Sequence, residues 1–288
     1  MRSLAVVVIL TCGVLVLLGI AAVVRWGGLG VQPSGNPGER DDCPSPGFVA
    51  SRYLWYVTVA VVSGIGSGLL IAGAGGRLAM RLLAATAGDA AQGRETEAEE
   101  IVGRITTGGS IGFIIFTGLF FGLATGALYL VIMRWLPPGR LGGLAYGMLL
   151  LVVAAPRIDP LRADNPDFGI VGPGWVAVVV FSALVLVHGM LVAALAGRYS
   201  RTLPPPSLRR RTVIAYAPLL LLIPAAPVAV VLAVVEFLAV GLSRAKPAIK
   251  AIRSHATAVA GRIVLAVVTI VALPGFVSAV IDIATEHT

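Results

Sequence analysis

The chain has 288 residues, of which 57% are hydrophobic and 12% charged, against about 25% charged in ordinary globular proteins. A soluble fold with so few charges cannot cover its own surface, so an aqueous globular domain is excluded. The net charge of +8 does not interleave with aromatics as a nucleic-acid face does; its cations sit between apolar runs, where they set membrane orientation and meet anionic lipid.

The chain reads as an all-α polytopic transmembrane bundle of about seven helical segments, one or two of them open to a re-entrant reading. Residues 1–24 form an N-terminal anchor. Its apolar run, Leu4 to Val24, is long enough for a hydrocarbon core about 30 Å thick, and longer than the 7–15 apolar residues of a cleaved signal. Residues 25–52 are rich in Gly, Pro and Ser (Pro33, Gly35, Pro37, Gly38, Pro44, Pro46) and predict a solvated loop. The remainder, 53–288, is a multi-helix membrane domain.

Within that domain the second segment runs from Tyr53 to Ala74. Tyr53, Trp55 and Tyr56 are placed as an interfacial aromatic belt, and helix continues through Arg77 and Arg81, which share a face. A charged stretch follows. Thr96 with Glu99 fits a capping box and predicts a short surface helix. The third segment, Gly109 to Met133, stops at Pro137-Pro138. The fourth, Leu141 to Ala155, reaches about 22 Å at 1.5 Å per residue, which spans only a thinned bilayer or enters part-way. Turn residues surround Asp159, Asp164 and Asp167 before the fifth segment, Trp175 to Ala196. These three carboxylates are an oxygen set of the kind that holds a divalent cation, but their spacing matches no metal loop, so a structural turn is expected.

The sixth segment, Val213 to Leu242, contains Pro218, Pro224 and Pro227, which leaves a kinked helix and a re-entrant hairpin both open. The seventh is Ile263 to Ile283. Between them, residues 241–262 form a basic amphipathic connector, with Lys246, Lys250 and Arg253 on one face for lipid headgroups. Seven single crossings with a cytoplasmic N-terminus divide the 22 Lys and Arg 12 inside to 10 outside. A hairpin at Pro224–Pro227 brings connectors 197–212 and 241–262 to one face and makes the division 15 to 7. That pattern obeys the positive-inside rule with the N-terminus inside if the fourth segment is re-entrant, or outside if it spans.

Two features point to sites. Small residues recur every fourth position at Gly64, Gly68, Ala72 and Gly76, and again at Gly118, Gly122 and Gly126. Such stripes let helix backbones approach where lipid removes the hydrophobic drive, so the second and third segments are expected to pack together, or to form a homodimer. Glu236 and His188 are ionisable groups inside apolar runs; a carboxylate at mid-bilayer costs about 2.5–3.5 kcal/mol, so it needs a partner or a role. The two suit a proton or cation relay, against the plainer reading of Glu236 near an interface and His188 bonded to a neighbouring helix.

Two cysteines, Cys12 in an apolar run and Cys43 in the loop, exclude a disulfide framework or Cys-based zinc site. No phosphate-binding Gly-Lys-Ser/Thr loop and no His-Glu-x-x-His occurs, and Gly64–Gly68 lies inside a membrane helix, where a dinucleotide fingerprint has no context. Cofactors and metals are therefore not called for.

Gly76-Arg77-Leu78-Ala79-Met80-Arg81-Leu82, Arg134-Trp135-Leu136-Pro137 and Asn165-Pro166-Asp167-Phe168 resemble a family of prokaryotic polytopic membrane proteins with no assigned activity. The resemblance covers about residues 73–173, with an echo near Gly261–Asp282; it implies the membrane class and carries over no functional residue. Two function classes stand: a non-catalytic scaffold or accessory subunit of a prokaryotic-type plasma membrane, and a small transporter or channel using Glu236 and His188. Expected partners are anionic lipids and a further copy or another membrane protein, with no nucleic acid.

Overall fold

The computed structural model describes residues 2–32, 46–97, 100–104, 106–207, 209–225 and 255–285. Helices α1 (Arg2–Trp26), α2 (Pro46–Ser67), α3 (Ala74–Thr86), α4 (Thr107–Ile132), α5 (Arg140–Leu149), α6 (Gly174–Thr202), α7 (Arg210–Tyr216) and α8 (His255–Thr285) follow in order. The described residues contain no β-strand, only an isolated antiparallel bridge between Glu95 and Ile101. Five helical stretches are long and apolar enough to cross a membrane: Ala5–Trp26, Ser51–Thr86, Thr107–Ile132, Gly174–Thr202 and Ala256–Thr285. The protein is a multi-pass α-helical membrane protein.

Helix α2 joins α3 without a break through a π-helical turn, Gly68–Gly73. A second π turn, Leu150–Ala154, extends α5, giving the shorter apolar helix Arg140–Ala154. A π turn carries one more residue than an α turn and so shifts every later side chain around the axis. In the α2–α3 rod the shift is visible against α4. Gly64 and Gly68 face the backbone of Gly122 and Gly118, but the next glycine contact falls to Gly73 against Ile114, and Ala72 is half-buried. Gly76 meets the ring of Phe113.

Contacts between helix ends fix their direction. Arg140, opening α5, donates to the Val24 carbonyl near the end of α1 (3.1 Å). The Trp55 indole, four residues into the apolar stretch Ser51–Thr86, donates to the Leu203 carbonyl just past α6 (3.2 Å). Gly261, near the start of α8, lies against Trp135, just past α4. All these ends share one side of the bundle, here face B. On the opposite side, face A, Gly172 packs under Leu83 and Thr86, and Gly174 abuts Ile283. Helix α5 and its π extension therefore run from face B to face A of the bundle. Helix α6 ends on face B and α8 begins there.

Four sequence expectations change. Helix α2 starts at Pro46, inside the stretch read as loop. Trp55 is no belt residue: it is 1% exposed, its N–H satisfying the Leu203 carbonyl just past α6, while Tyr53 is half exposed. Around Thr96 the described residues make a tight reversal rather than a helix, with the Thr96 hydroxyl on the Glu100 carbonyl (3.0 Å). The described part of the sixth segment is α7 followed by a 3-10 stretch, Ala217–Ala225, the α-helix ending just before Pro218. Glu236, Lys246, Lys250, Arg253 and Cys43 lie outside the described residues.

A methyl group placed on Gly122 stands 2.5 Å from the Gly64 carbonyl oxygen, whereas one on Gly112 meets nothing within 4 Å. Gly122→Ala should therefore lower stability by about 1–3 kcal/mol through forced separation of the backbones. Gly112→Ala should be neutral or stabilising by up to about 1 kcal/mol. Thermal midpoints in one detergent compare the two; equal midpoints would refute the close approach.

Candidate functional site

His188 sits at the midpoint of α6, 6% exposed, among residues of three other helices. Its Nδ1 lies 2.8 Å from the Ser67 hydroxyl at the end of α2, and its Nε2 lies 2.9 Å from the Thr125 hydroxyl on α4. Tyr146 of α5 donates to the Thr125 carbonyl at 2.5 Å and meets Tyr129 edge-to-face at 5.2 Å. One polar node thus ties together four helices. Close backbone approach makes it possible: Gly189, beside His188, leaves the room that lets Gly147 of α5 come in, as the Gly64–Gly126 seam brings Ser67 and Thr125 within reach.

The protons can be counted. A neutral imidazole offers one donor and one acceptor, and each hydroxyl has one proton to give. The Ser67 hydroxyl also reaches the His188 carbonyl (2.9 Å), and that of Thr125 reaches the Phe121 carbonyl (2.6 Å). If Nδ1 carries the proton, Ser67 accepts it and donates to the carbonyl, while Thr125 donates to Nε2. With the proton on Nε2 the roles reverse. Both tautomers leave both ring nitrogens satisfied, which is what a buried polar group requires.

A serine hydroxyl beside an imidazole nitrogen is also the nucleophile–base pair of acyl-transfer enzymes. Here the geometry stops short. Ser67 has no exposed surface (0%), Gly68 next to it is pressed on the Gly118 carbonyl, and the surrounding amides are spent within helices. An acyl carbon has no place to sit and no free donor to hold its oxyanion.

On face A, Arg77 is buried at 5% exposure and gives its Nε and Nη2 protons to the Ser110 hydroxyl (3.1 and 3.0 Å), and Arg81 donates to the Arg104 carbonyl (2.8 Å). These two staple α3 to the entrance of α4. The acidic loop is structural too. Asp167 accepts the Glu97 amide (2.7 Å), and Asp164 and Glu97 both pair with Arg162 (3.3 and 2.5 Å). The Glu97 carboxylate holds the exposed Arg162 guanidinium in its charged form above the usual arginine range. Among the described residues no group of three His, Cys, Asp or Glu is placed to hold a metal ion.

Sequence reasoning singled out His188 but not Ser67, Thr125 or Tyr146. A signal was there: Ser67 and Thr125 each stand beside a glycine of the stripes, Gly68 and Gly126, on the face bound to meet a neighbour. Glu236, the proposed companion of His188, lies outside the described residues. No family model matches the chain, and no curated protein or solved structure matches it either.

Ser67→Ala strips the ring nitrogen of its partner and should cost about 1–3 kcal/mol. In His188→Leu both hydroxyls still have carbonyls to donate to, so adding Ser67→Ala should then cost little. A double-mutant cycle by unfolding in mixed micelles should give a coupling of about 1–2 kcal/mol. Strict additivity would show that the two residues do not act as a pair.

Proposed function

We propose that the protein is a non-catalytic scaffold or accessory subunit of a prokaryotic-type plasma membrane. The observation that carries this reading is the closed His188 node, in which the principal ionisable group described within the bundle has both nitrogens engaged by hydroxyls of other helices. Its chemistry is spent on holding α2, α4, α5 and α6 in register. The glycine stripe of α2 is likewise taken up by α4, so a partner must use other surfaces.

A second reading, a small proton or cation transporter using His188 with Glu236, draws on the interchangeable proton positions around the imidazole. Proton flux in liposomes separates the two. The scaffold reading expects flux at the level of protein-free vesicles, unchanged by His188→Asn or Glu236→Gln. Flux that either substitution abolishes would establish the transporter. A fluorophosphonate probe should leave Ser67 unlabelled; labelling lost in Ser67→Ala would overturn the non-catalytic reading.

Orientation follows from charge. Face B receives Arg25, Arg40 and Arg52 with the first connector, Arg134 and Arg140 with the next, and all five arginines of 197–212. Counting the Lys and Arg of 241–262 with the face where α8 begins, 15 of the 22 are there and 7 are on face A. By the positive-inside rule face B is cytoplasmic and the N-terminus external. Cys43, on a connector whose two ends are both on face B, should resist a membrane-impermeant maleimide in intact Cys12→Ser cells and react after permeabilisation. Labelling in intact cells would invert the orientation.

A further inference from the structure

Around the end of α1 on face B four arginines converge, and they divide by what they do. Arg140 donates to the Val24 carbonyl (3.1 Å), one of those left open where α1 ends, and Arg201 leans on that of Gly30 in the chain just beyond (3.4 Å). Arg25 and Arg198 make no hydrogen bond or ion pair with any described residue. Both line one open cleft of about 500 Å³ together with Trp26 and Leu29, a size within the about 300–1,000 Å³ of small-ligand sites. The Arg198 guanidinium stands 5.7 Å from the centre of the Trp26 ring, which fixes its position without using its forked donors.

The cleft lies where the apolar run of α1 gives way to connector, at the depth of headgroups. Two unspent guanidinium groups there match the oxygens of a phosphate, which they can grip in bidentate fashion. Trp26 and Leu29 form the apolar wall beside them, and the exposed apolar side of α1, with Leu17 and Val24 seven residues apart, continues into the membrane. Basic pockets between membrane helices on the cytoplasmic side take phospholipid headgroups for these reasons.

We propose that this cleft is a binding site for the phosphodiester of an anionic phospholipid, held by Arg25 and Arg198. It rests on the reading of face B as a membrane boundary, but its test does not depend on which side of the cell face B occupies.

The experiment uses the full chain in neutral detergent micelles. Brominated phosphatidylglycerol is titrated in, and the quenching due to Trp26 is taken as the difference from Trp26→Phe. In Arg25→Gln/Arg198→Gln the half-quenching concentration should rise at least about twentyfold, through loss of charge-assisted hydrogen bonds to one phosphate. Arg25→Lys/Arg198→Lys, which keeps charge and loses the fork, should fall between. Arg209→Gln/Arg210→Gln should stay within about twofold, and brominated phosphatidylcholine should quench weakly in every variant. Equal curves for the glutamine variant and the parent, or an equal loss in Arg209→Gln/Arg210→Gln, would overturn the site. Displacement of the lipid by inorganic phosphate would reassign it to a soluble anion. Binding tightened by Asp41→Asn/Asp42→Asn would assign the arginines to the chain's own carboxylates instead of lipid.

Discussion

Close approach of two helix backbones, with no side chain between them, is the constraint on which the bundle depends. Gly64 and Gly68 on α2 and Gly118, Gly122 and Gly126 on α4 bring main-chain atoms of the two helices into direct contact. In lipid, apolar side chains gain nothing by leaving the solvent, so association rests on dispersion contacts, which grow as the axes draw together, and on polar bonds that short distances permit. The first makes the second possible here. Only with the α2–α4 axes so close do Ser67 and Thr125 both come within 3 Å of one imidazole on α6. Gly147 and Gly189 repeat the device between α5 and α6, and bring the Tyr146 hydroxyl to the same place.

The π turn in the middle of this rod serves that geometry. Ser67 is the last α-helical residue before it, and from Gly68 onward the register against α4 moves on by one position. Without the extra residue the stripe would continue through Ala72; with it, Gly73 meets Ile114 and Arg77 turns towards Ser110. One additional residue therefore reconciles two demands: a glycine seam below, and an arginine staple at the membrane edge above. Sequence spacing alone cannot show such a turn, because a stripe of small residues at every fourth position looks the same whether or not the helix between them is regular.

Much of the fold was legible because hydrocarbon leaves a polypeptide few choices: long apolar runs must close their own hydrogen bonds as helices. Leu4 to Val24, Trp175 to Ala196 and Ile263 to Ile283 fall inside helices of the structure, and Gly109 to Met133 does so up to Ile132. Where water competes, the reading was less secure. Proline and glycine before Tyr53 suggested loop, yet Pro46 tolerates the first turn of a helix, where its missing N–H has no bond to lose. Thr96 and Glu99 had the spacing of a capping box; Glu99 lies outside the described residues, and Glu95 pairs with Ile101 in an antiparallel bridge where a helix was expected. Trp55 was assigned to the interface by type, and nothing local could reveal that α6 ends within reach of its indole nitrogen.

Charge counting alone left two arrangements with the same division, and packing bears on which helix ends are neighbours. The length of the fourth segment left open a crossing of a thinned bilayer or a part-way entry; Arg140 touches the end of α1 on one side, while the chain beyond Ala154 reaches Leu83 and Thr86 through Gly172 on the other. Its neighbours make the short crossing tolerable: α5 and its π extension bury Tyr146, Leu149, Leu150, Leu151 and Val152 against other helices, so little of it must match the lipid. Once that crossing is counted, α6 must end where α1 ends, and the contact of Gly261 with Trp135 brings α8 back to the same side. Arg198 and Arg201 at the end of α6 then share a face with the start of α8. A bundle whose helix pairs are chosen by glycine contacts has thereby also sorted its charge, since the contacts that fix which ends are neighbours also fix which loops share a face.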